Sequence, residues 1–312
     1  MELSIIIVNW NSTDVLKKCL DSIRKEVIEI IFEVLVVDNN SNDIKPKEIK
    51  TQYPEVKFIF NETNKGYSKA NNQLAKLAIG EYLLFLNPDI ILTQNTVKIM
   101  LDFLKNEKST GAVGGKFLEP DKSLQRFYRR FPTISYIISY ATLIAKIFPN
   151  NWYSKLYEYQ DKDFETITKV DQPGTSLFMI RANLFNELNG FNEKMPIFFN
   201  DADLCKKIYK KGYDIFVLPD AKAFHLKGES IKKEKPEVII LEGALSLIEY
   251  FKEHKSSFYA FNAKILVLID QSLRLMYGLL LNVFGKQTKD KYLYRLKVIL
   301  YLIFNKRIVS YR

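Results

Sequence analysis

Continuous apolar runs of strand length alternate with segments of helical periodicity through the first 106 residues of the chain. Buried strands consist of nearly uninterrupted apolar residues, whereas amphipathic helices repeat them at three- and four-residue spacing. The pattern predicts strands at residues 3–8, 32–37, 56–60 and 83–90, with helices beginning near residues 13, 45, 68 and 93. Strands that alternate with helices predict an α/β protein with a doubly wound, mainly parallel sheet.

The pattern is less regular between Gly111 and His225. An apolar segment of thirteen residues, Tyr136–Phe148, is too short to cross a bilayer, and we interpret it either as a core helix or as a segment lying on a membrane surface. Short strands are predicted at residues 112–115, 116–118, 170–180 and 215–218, with a basic, aromatic loop at 123–130.

Three long helices are predicted at residues 237–251, 262–284 and 292–304. The polar residues of the middle helix collect in one sector, formed by Lys264, Asp270, Gln271, Arg274, Gly278 and Asn282. Asp270 and Arg274 would each cost ~2.5–3.5 kcal/mol near the centre of a bilayer, so a spanning helix is disfavoured. The pattern favours a helix in the membrane interface, and the alternative is a helical hairpin packed on the main domain.

Charge adds a reason to expect a membrane contact at the C-terminal end. Of the net charge of +10, residues 227–312 carry +8, from 16 Lys and Arg against 8 Asp and Glu. A basic tail favours anionic lipid, whereas nucleic-acid binding is disfavoured because the rest of the chain is almost balanced. Cys19 and Cys205 lack metal-ligand spacing and are predicted to be small core residues. The first ten residues lack the basic n-region of a secretory signal, so we expect a cytosolic active site.

Carboxylates and a histidine follow several of the predicted strands. Asn87-Pro88-Asp89 ends the fourth strand, and ligands of open α/β sheets bind at such carboxyl ends, although these residues are also common in turns. Asp201 and Asp203 stand at the start of a helix, where they are either helix caps or chemically active carboxylates. His225 follows another strand, and imidazole and carboxylate are both ordinary ligands for ions of the Mn²⁺ type.

Five segments together resemble the family 2 glycosyltransferases, and most of all their rhamnosyltransferase-like branch. They are SIIIVNWNS from Ser4, VVDNNSND from Val36, NKGYSKANN from Asn64, LLFLNPDI from Leu83, and FFNDADL through GYDIFVLPDAKAFH from Phe198. The resemblance implies a GT-A fold over residues 1–230, followed by a basic, helical C-terminal region at 231–312. The chain contains neither GxGxxG after its first strand nor GxxxxGK[ST], which argues against dehydrogenases and P-loop enzymes.

The resemblance also implies site residues. Asp38 matches a residue that contacts the base of a nucleotide sugar, Asn9 lies in the first matching segment, and Asn64, Gly66 and Asn72 match a loop and helix around the nucleotide. Asn87 and Asp89 match the ends of the DXD motif of the family, with Asn in place of the first Asp. The resemblance implies a Mg²⁺ or Mn²⁺ ion held by Asp89 and His225. Asp201 matches the catalytic base, Asn200 stands where Glu is common, and Pro173–Ser176 match part of the acceptor site.

The function implied by this resemblance is an inverting, metal-dependent transfer of a sugar to a glycan or lipid-linked acceptor of the cell envelope. The best candidate for the donor is dTDP-rhamnose. The alternatives are the same chemistry with a UDP-sugar, and a catalytically silent nucleotide-binding partner of an assembly complex, which Asn87 and Asn200 keep open. The enzyme is expected in the cytoplasm, peripheral on the inner face of the cell membrane.

Overall fold

The structure is a computed structural model that describes residues 1–138, 148, 151–226, 234–285, 292–304 and 306–308. The strands of the described part are β1 Leu3–Asn9, β2 Phe32–Asp38, β3 Val56–Phe60, β4 Tyr82–Leu86, β5 Ile90–Leu92, β6 Thr110–Leu118, β7 Thr168–Lys169, β8 Leu177–Arg181 and β9 Asp214–His225. Its helices are α1 Thr13–Glu26, α2 Pro46–Gln52, α3 Gly66–Ala75, α4 Thr96–Asn106, α5 Ile134–Tyr136, α6 Trp152–Tyr157, α7 Ala182–Glu187, α8 Asn200–Lys210, α9 Pro236–His254, α10 Ser257–Val283 and α11 Tyr294–Ile303.

The strands form one sheet in the order β3-β2-β1-β4-β8-β6-β9-β5, with β7 paired to β9. The pairs β1–β2, β1–β4, β2–β3 and β6–β9 are parallel, and β8 enters the sheet antiparallel to both of its neighbours. Every residue of β1 and β4 is buried, because other parts of the protein cover both faces of the sheet at these strands. The predicted α/β architecture is confirmed, and the sheet is mixed at its β5–β8–β9 side.

Several predicted boundaries change at this side of the sheet. The two short strands predicted at 112–118 form the single strand β6, whose pairing with β9 shifts between Gly115 and Lys116. The strand predicted at 215–218 continues through Pro219 to His225, since the shifted pairing accommodates the extra residues. Of the strand predicted at 170–180, only residues 177–180 belong to a strand, β8, because Pro173 lies in the loop that separates β7 from β8. Thr93 does not cap α4, which begins after Asn95.

The C-terminal helices pack on the rest of the chain. Leu247, Tyr250 and Phe251 of α9 form one buried cluster with Met195 and Ala202 of the main domain. α10 packs beside α9, and α11 packs against both helices. The segment predicted as a helix at Tyr136–Phe148 lies mostly outside the described residues.

Part of the polar sector of α10 faces protein, which agrees with the alternative of a helical hairpin packed on the main domain. Asp270, Gln271 and Gly278 are buried, and Gly278 lies against Tyr292, where a larger side chain would collide. The outer side of α10 instead exposes large apolar residues, among them Phe258, Phe261, Ile269, Met276, Leu280 and Val283. By length and composition, α10 is a candidate membrane span, although such a helix alone is weak support for one.

Candidate functional site

The carboxyl ends of β1 and β2 form the first part of the candidate site. Asn9 and Asp38 are register partners in the parallel pair β1–β2, and Asn9 Nδ2 donates to Asp38 Oδ1 over 2.7 Å. Asp38 also accepts from the Ser41 backbone N–H at 2.9 Å and from the Ser41 hydroxyl at 2.6 Å. The oxygen Asn9 Oδ1 is buried and accepts no hydrogen bond from the described residues. It therefore offers an acceptor to a ligand at the end of β1.

The start of α3 forms the second part. Asn64 Oδ1 accepts from the Gly66 N–H at 2.8 Å, and Gly66 has φ +76°, a conformation that glycine adopts without strain. Asn72 is fully engaged within the protein: Nδ2 donates to Phe191 O at 2.9 Å and to Glu193 Oε1 at 3.1 Å, while Oδ1 accepts from Phe191 N–H at 2.9 Å. Asn72 therefore joins α3 to the segment that leads into α8.

The turn after β4 is joined to the loop before β8. Asn87 Nδ2 donates to the Ser176 hydroxyl, and the Asn87 backbone N–H donates to Ser176 O, both at 2.9 Å. The Tyr67 hydroxyl donates to Thr175 O at 3.2 Å. These bonds place the segment matched to an acceptor site beside the turn that carries Asp89.

Asp89 and His225 meet because β5 and β9 are antiparallel neighbours. Ile90 pairs with His225 in register, and the Leu226 N–H donates to Asp89 O at 2.9 Å. His225 Nε2 then lies 3.5 Å from Asp89 Oδ2, and both side chains are almost completely buried. The ring of His225 also packs edge-on against Phe127, with centroids 4.9 Å apart.

Gln125 fixes the imidazole of His225. Its amide Nε2 donates to His225 O at 3.0 Å, so its oxygen Oε1 accepts from His225 Nδ1–H at 2.7 Å. In the neutral imidazole, a proton on Nδ1 leaves the lone pair of Nε2 on the side of Asp89 Oδ2. A histidine that ligates a metal ion commonly donates its other ring N–H in this way.

A divalent cation fits this pair by its donor chemistry. Nε2 and Oδ2 both carry lone pairs in this tautomer, and imidazole and carboxylate are both ordinary ligands of divalent ions. The described residues contain no group of three or more His, Cys, Asp or Glu side chains that could hold a metal ion. The rest of the coordination would therefore come from other atoms, and Mg²⁺ in particular is usually held by one or two carboxylates with water and substrate phosphates.

The start of α8 holds Asp201. Phe199, the residue before α8, has φ +59°, a strained conformation for a bulky side chain and one that concentrates at functional sites. Asn200 donates to Ile197 O at 3.1 Å and closes the preceding turn. Burial raises the pKa of Asp201, against the opposing attraction of Arg129 and of the Ala202 N–H, which donates to Oδ1 at 2.8 Å.

Asp203 has a different environment from Asp201. Its carboxylate is completely buried, where Oδ1 accepts from His254 Nε2 at 2.8 Å and Oδ2 lies 2.7 Å from Lys207 Nζ. Both oxygens of Asp203 are therefore engaged by other side chains of the protein, whereas Asp201 is partly exposed at the helix terminus.

Tyr67 is influenced by two acidic residues of the candidate site, Asp89 and Asp201. Burial raises its pKa, and the charges of Asp201 and Asp89 both add to the increase, so the phenol lies within the electrostatic reach of each carboxylate. The Tyr67 hydroxyl, which donates to Thr175 O, is therefore near both carboxylates. Our sequence reasoning did not identify Tyr67, Gln125 or Arg129 as site residues, although Tyr67 lies in one of the quoted segments and the other two in the basic loop.

Comparisons with known proteins agree with this architecture. Residues 4–188 match the family model described as glycosyl transferase family 2. The chain is 25% identical over 243 residues to N-acetylglucosaminyl-diphospho-decaprenol L-rhamnosyltransferase of Mycobacterium tuberculosis. The aligned residues cover 74% of this chain and 78% of the relative. It is 26% identical over 230 residues to the rhamnosyltransferase WbbL of Escherichia coli K12, covering 71% and 82%.

A solved structure shows the same fold. The crystal structure of GalNAc-T7 with UDP, GalNAc and Mn²⁺ superimposes with a TM-score of 0.61 at 16% identity, and the match covers 84% of this chain and 51% of that one. This chain therefore spans about half the length of that neighbour. At this identity, the likeness supports the fold alone.

Proposed function

We propose, because this chain belongs to glycosyl transferase family 2, that it transfers a sugar from a nucleotide sugar to a lipid-linked or glycan acceptor of the cell envelope. Its similarity to two rhamnosyltransferases makes dTDP-rhamnose the first candidate for the donor. The observation that carries the chemistry is the Asp89–His225 pair, which the β5–β9 register holds at the edge of the sheet.

The donor nucleotide would bind along the ends of β1, β2 and β4. Asn9 and Asp38 would hydrogen-bond the base, since Asn9 Oδ1 is available as an acceptor and the Asp38 carboxylate lies beside it. Asn64 and Gly66 would shape the loop that covers the nucleotide. Asn72 would act through this loop, because its amide is used in bonds to Phe191 and Glu193.

The diphosphate would lie against Asp89 and His225, with Asn87 holding the turn through its bonds to Ser176. A Mg²⁺ or Mn²⁺ ion bound there would act as a Lewis acid that stabilises the charge developing on the leaving diphosphate. Gln125, which accepts from His225 Nδ1, would leave Nε2 as the ligand for such an ion, and Phe127 packs on the edge of the same ring.

Asp201 would act as the general base. Its carboxylate accepts the proton of the acceptor hydroxyl while the acceptor oxygen forms a bond to the anomeric carbon. The bond from that carbon to the diphosphate oxygen breaks, and the electron pair leaves with the nucleoside diphosphate. A single displacement of this kind inverts the anomeric centre. A carboxylate with a raised pKa is a better proton acceptor than an ordinary one, because base strength increases with pKa.

The same geometry would suit a UDP-sugar, so this alternative stays open. Neither reading changes the roles of Asp89, His225 and Asp201. A catalytically silent partner would bind the same nucleotide without turnover, since Asn87 and Asn200 stand where the family commonly has acidic residues.

The C-terminal region, residues 231–312, would bring the catalytic domain of residues 1–230 to the membrane. The exposed apolar side of α10, together with exposed Leu296 and Leu300 of α11 and Phe304 directly after it, supports a peripheral contact with the inner face of the cell membrane. The net charge of +8 on residues 227–312 would add attraction to anionic lipid. Such a position suits a lipid-linked acceptor.

The test is transfer by the full-length protein. dTDP-rhamnose and a panel of UDP-sugars would be incubated with a lipid-linked N-acetylglucosaminyl diphosphate, with Mn²⁺, with Mg²⁺ or with EDTA, and the product anomer would be determined by NMR. We expect metal-dependent transfer with inversion. Binding of nucleotide sugar without transfer to any acceptor would support the silent partner, and absence of nucleotide binding would overturn both readings.

A further inference from the structure

A cavity of about 290 Å³ lies between the C-terminal helices and the start of α8. Its walls are largely apolar and include Ile240 and Leu247 from α9, Val267 from α10, and Phe199, the residue before α8. Asp270, Gln271, Arg274 and Arg295 form its polar end. The cavity is separate from the Asp89–His225 pair, and none of the roles described above uses it.

The polar end has more positive than negative charge. Asp270 Oδ2 accepts from Arg274 Nε at 2.7 Å and from Gln271 Nε2 at 3.0 Å, and Arg295 donates to Gln271 Oε1 at 2.6 Å. The described lining residues therefore carry two guanidinium groups against one carboxylate. Burial lowers the pKa of Arg295, and the nearby Arg274 lowers it further, as expected for two cations close together in a partly buried place. An anion bound there would offset the uncompensated charge.

The cavity lies beside the start of α8, the helix that carries Asp201, and close to exposed apolar residues of α10 and α11. Phe199 lines the cavity and precedes Asn200 and Asp201 in the chain, so the cavity adjoins the start of α8. Leu273 and Leu296, the chain neighbours of the two arginines, are exposed. A ligand with an anionic head and an apolar tail could therefore extend from the arginines along the exposed apolar surface.

We propose that this cavity binds the diphosphate and the first part of the apolar chain of the lipid-linked acceptor. The assignment rests on the proposed function, because it takes the acceptor to be lipid-linked. The volume is at the lower end of ligand pockets, about 300–1,000 Å³, so the rest of a long chain would lie outside, on the exposed apolar surface. Binding here would hold the lipid diphosphate next to the start of α8, the helix that carries Asp201.

Two variants remove different parts of this site. Gly243 lies within α9 and lines the cavity, and a Cβ added to it would come no closer than 3.8 Å to another side chain, that of Phe198. Gly243→Leu should therefore occupy the cavity without disturbing the backbone, and leucine has the better helix propensity. Arg295→Gln removes the positive charge that faces Gln271 and leaves the Asp270–Arg274 pair in place. Lys297→Gln, an exposed change two residues along α11, is the matched control for loss of one charge.

The experiment measures binding of farnesyl diphosphate to the full-length protein in uncharged detergent micelles by isothermal titration calorimetry. EDTA is present, so the diphosphate cannot bind through a metal ion at Asp89 and His225. We expect Gly243→Leu to weaken binding at least about tenfold because it fills the binding space, and Arg295→Gln to weaken it by a similar factor because it removes a charged hydrogen bond. Lys297→Gln should bind farnesyl diphosphate like the wild type. Circular dichroism melting would confirm that each variant is folded.

Other ligands distinguish the possible sources of the anion. Inorganic pyrophosphate should bind much more weakly than farnesyl diphosphate, and phosphatidylglycerol in the micelles should not compete with it. Equal binding of pyrophosphate, or full competition by phosphatidylglycerol, would overturn a site for a lipid diphosphate. Undiminished binding by folded Gly243→Leu would overturn the location.

A parallel titration with dTDP and Mn²⁺ separates this proposal from the proposed function. If the wild type binds farnesyl diphosphate through the cavity but binds no nucleotide, the proposed function fails and the lipid site stands. If nucleotide binds and farnesyl diphosphate does not, the lipid site fails alone.

Discussion

His254 Nε2 lies 2.8 Å from Asp203 Oδ1, and this bond joins the last turn of α9 to the first turn of α8. Both side chains are buried, and a carboxylate only accepts, so the imidazole donates through Nε2. Asp203 is two residues from Asp201. The orientation of the proposed base therefore depends on a helix from the C-terminal region, and α9 is part of the support of the active site.

The first prediction concerns Asp89. Asp89→Ala should abolish the metal-dependent part of nucleotide affinity, because it removes the carboxylate that faces His225 Nε2 at 3.5 Å. Thermal unfolding with dTDP or UDP, with and without Mn²⁺, measures this, since a ligand at 100 times its dissociation constant stabilises by ~2.7 kcal/mol. Asp220→Ala, at an exposed position of β9, is the control. Equal metal-dependent stabilisation of Asp89→Ala and the wild type would refute the role.

The second prediction separates the two carboxylates of α8. Asp201→Asn should keep donor affinity and lower kcat by ~10²–10⁴-fold, because the amide retains the shape but not the basicity. Asp203→Asn should mainly lower the melting temperature, since it weakens bonds to His254 and Lys207 inside the protein. Steady-state kinetics and melting curves would be compared for both. If Asp201→Asn kept a normal kcat while a stably folded Asp203→Asn lost most of its kcat, the general base would be Asp203 instead.

How much of this site the sequence predicts depends on the distance between partners along the chain. Asp89 follows a strand whose apolar run is local and easily recognised, so its place at the end of β4 could be predicted. Gln125 and His225 are 100 residues apart and meet only through the shifted pairing of β6 with β9, which no local pattern encodes. Periodicity likewise identifies the polar sector of α10, but it does not indicate whether that sector faces water or α9 and α11.

The third prediction is a pH profile. The charge of Arg129 lowers the pKa of Asp201, so Arg129→Gln should raise that pKa further above its ordinary value. The base acts when ionised, and the acidic limb of kcat should therefore move to higher pH in the variant. Arg130→Gln, whose guanidinium pairs with Asp161, should leave the limb in place. A shift of the Arg129→Gln limb to lower pH would contradict the assignment of Asp201 as the base.

The fourth prediction concerns Glu242, which is buried in α9 and paired with Arg307. Burial raises its pKa from 4.5 to about 7, against the attraction of Arg307. Because the folded-state pKa is the higher one, this contribution to stability is present below about pH 4.5 and is lost as the pH rises through about 7. The loss is at most about 3.4 kcal/mol. Glu242→Gln should reduce the difference in melting temperature between pH 5.5 and pH 8, whereas Glu253→Gln should not.

The last prediction tests the membrane contact without removing α9. Truncation before α9 would take Leu247, Tyr250 and Phe251 from a core that includes Ala202 of α8, so loss of liposome binding could then reflect unfolding. Met276→Glu with Val283→Glu instead changes two side chains of α10 that are 59% and 80% exposed. The pair should stop the protein from co-sedimenting with anionic liposomes and leave its melting temperature unchanged, because neither side chain belongs to a buried cluster.

Ile79→Glu, at an exposed apolar position of the main domain, is the control and should bind liposomes like the wild type. Wild-type binding should weaken as salt rises, because charges farther apart than ~8 Å are largely screened at 0.15 M ionic strength, whereas apolar contact alone would not show this dependence. Undiminished binding by the double variant would exclude the outer side of α10 as the contact. Tyr136–Phe148, the other apolar segment considered for a membrane surface, would then be the next candidate.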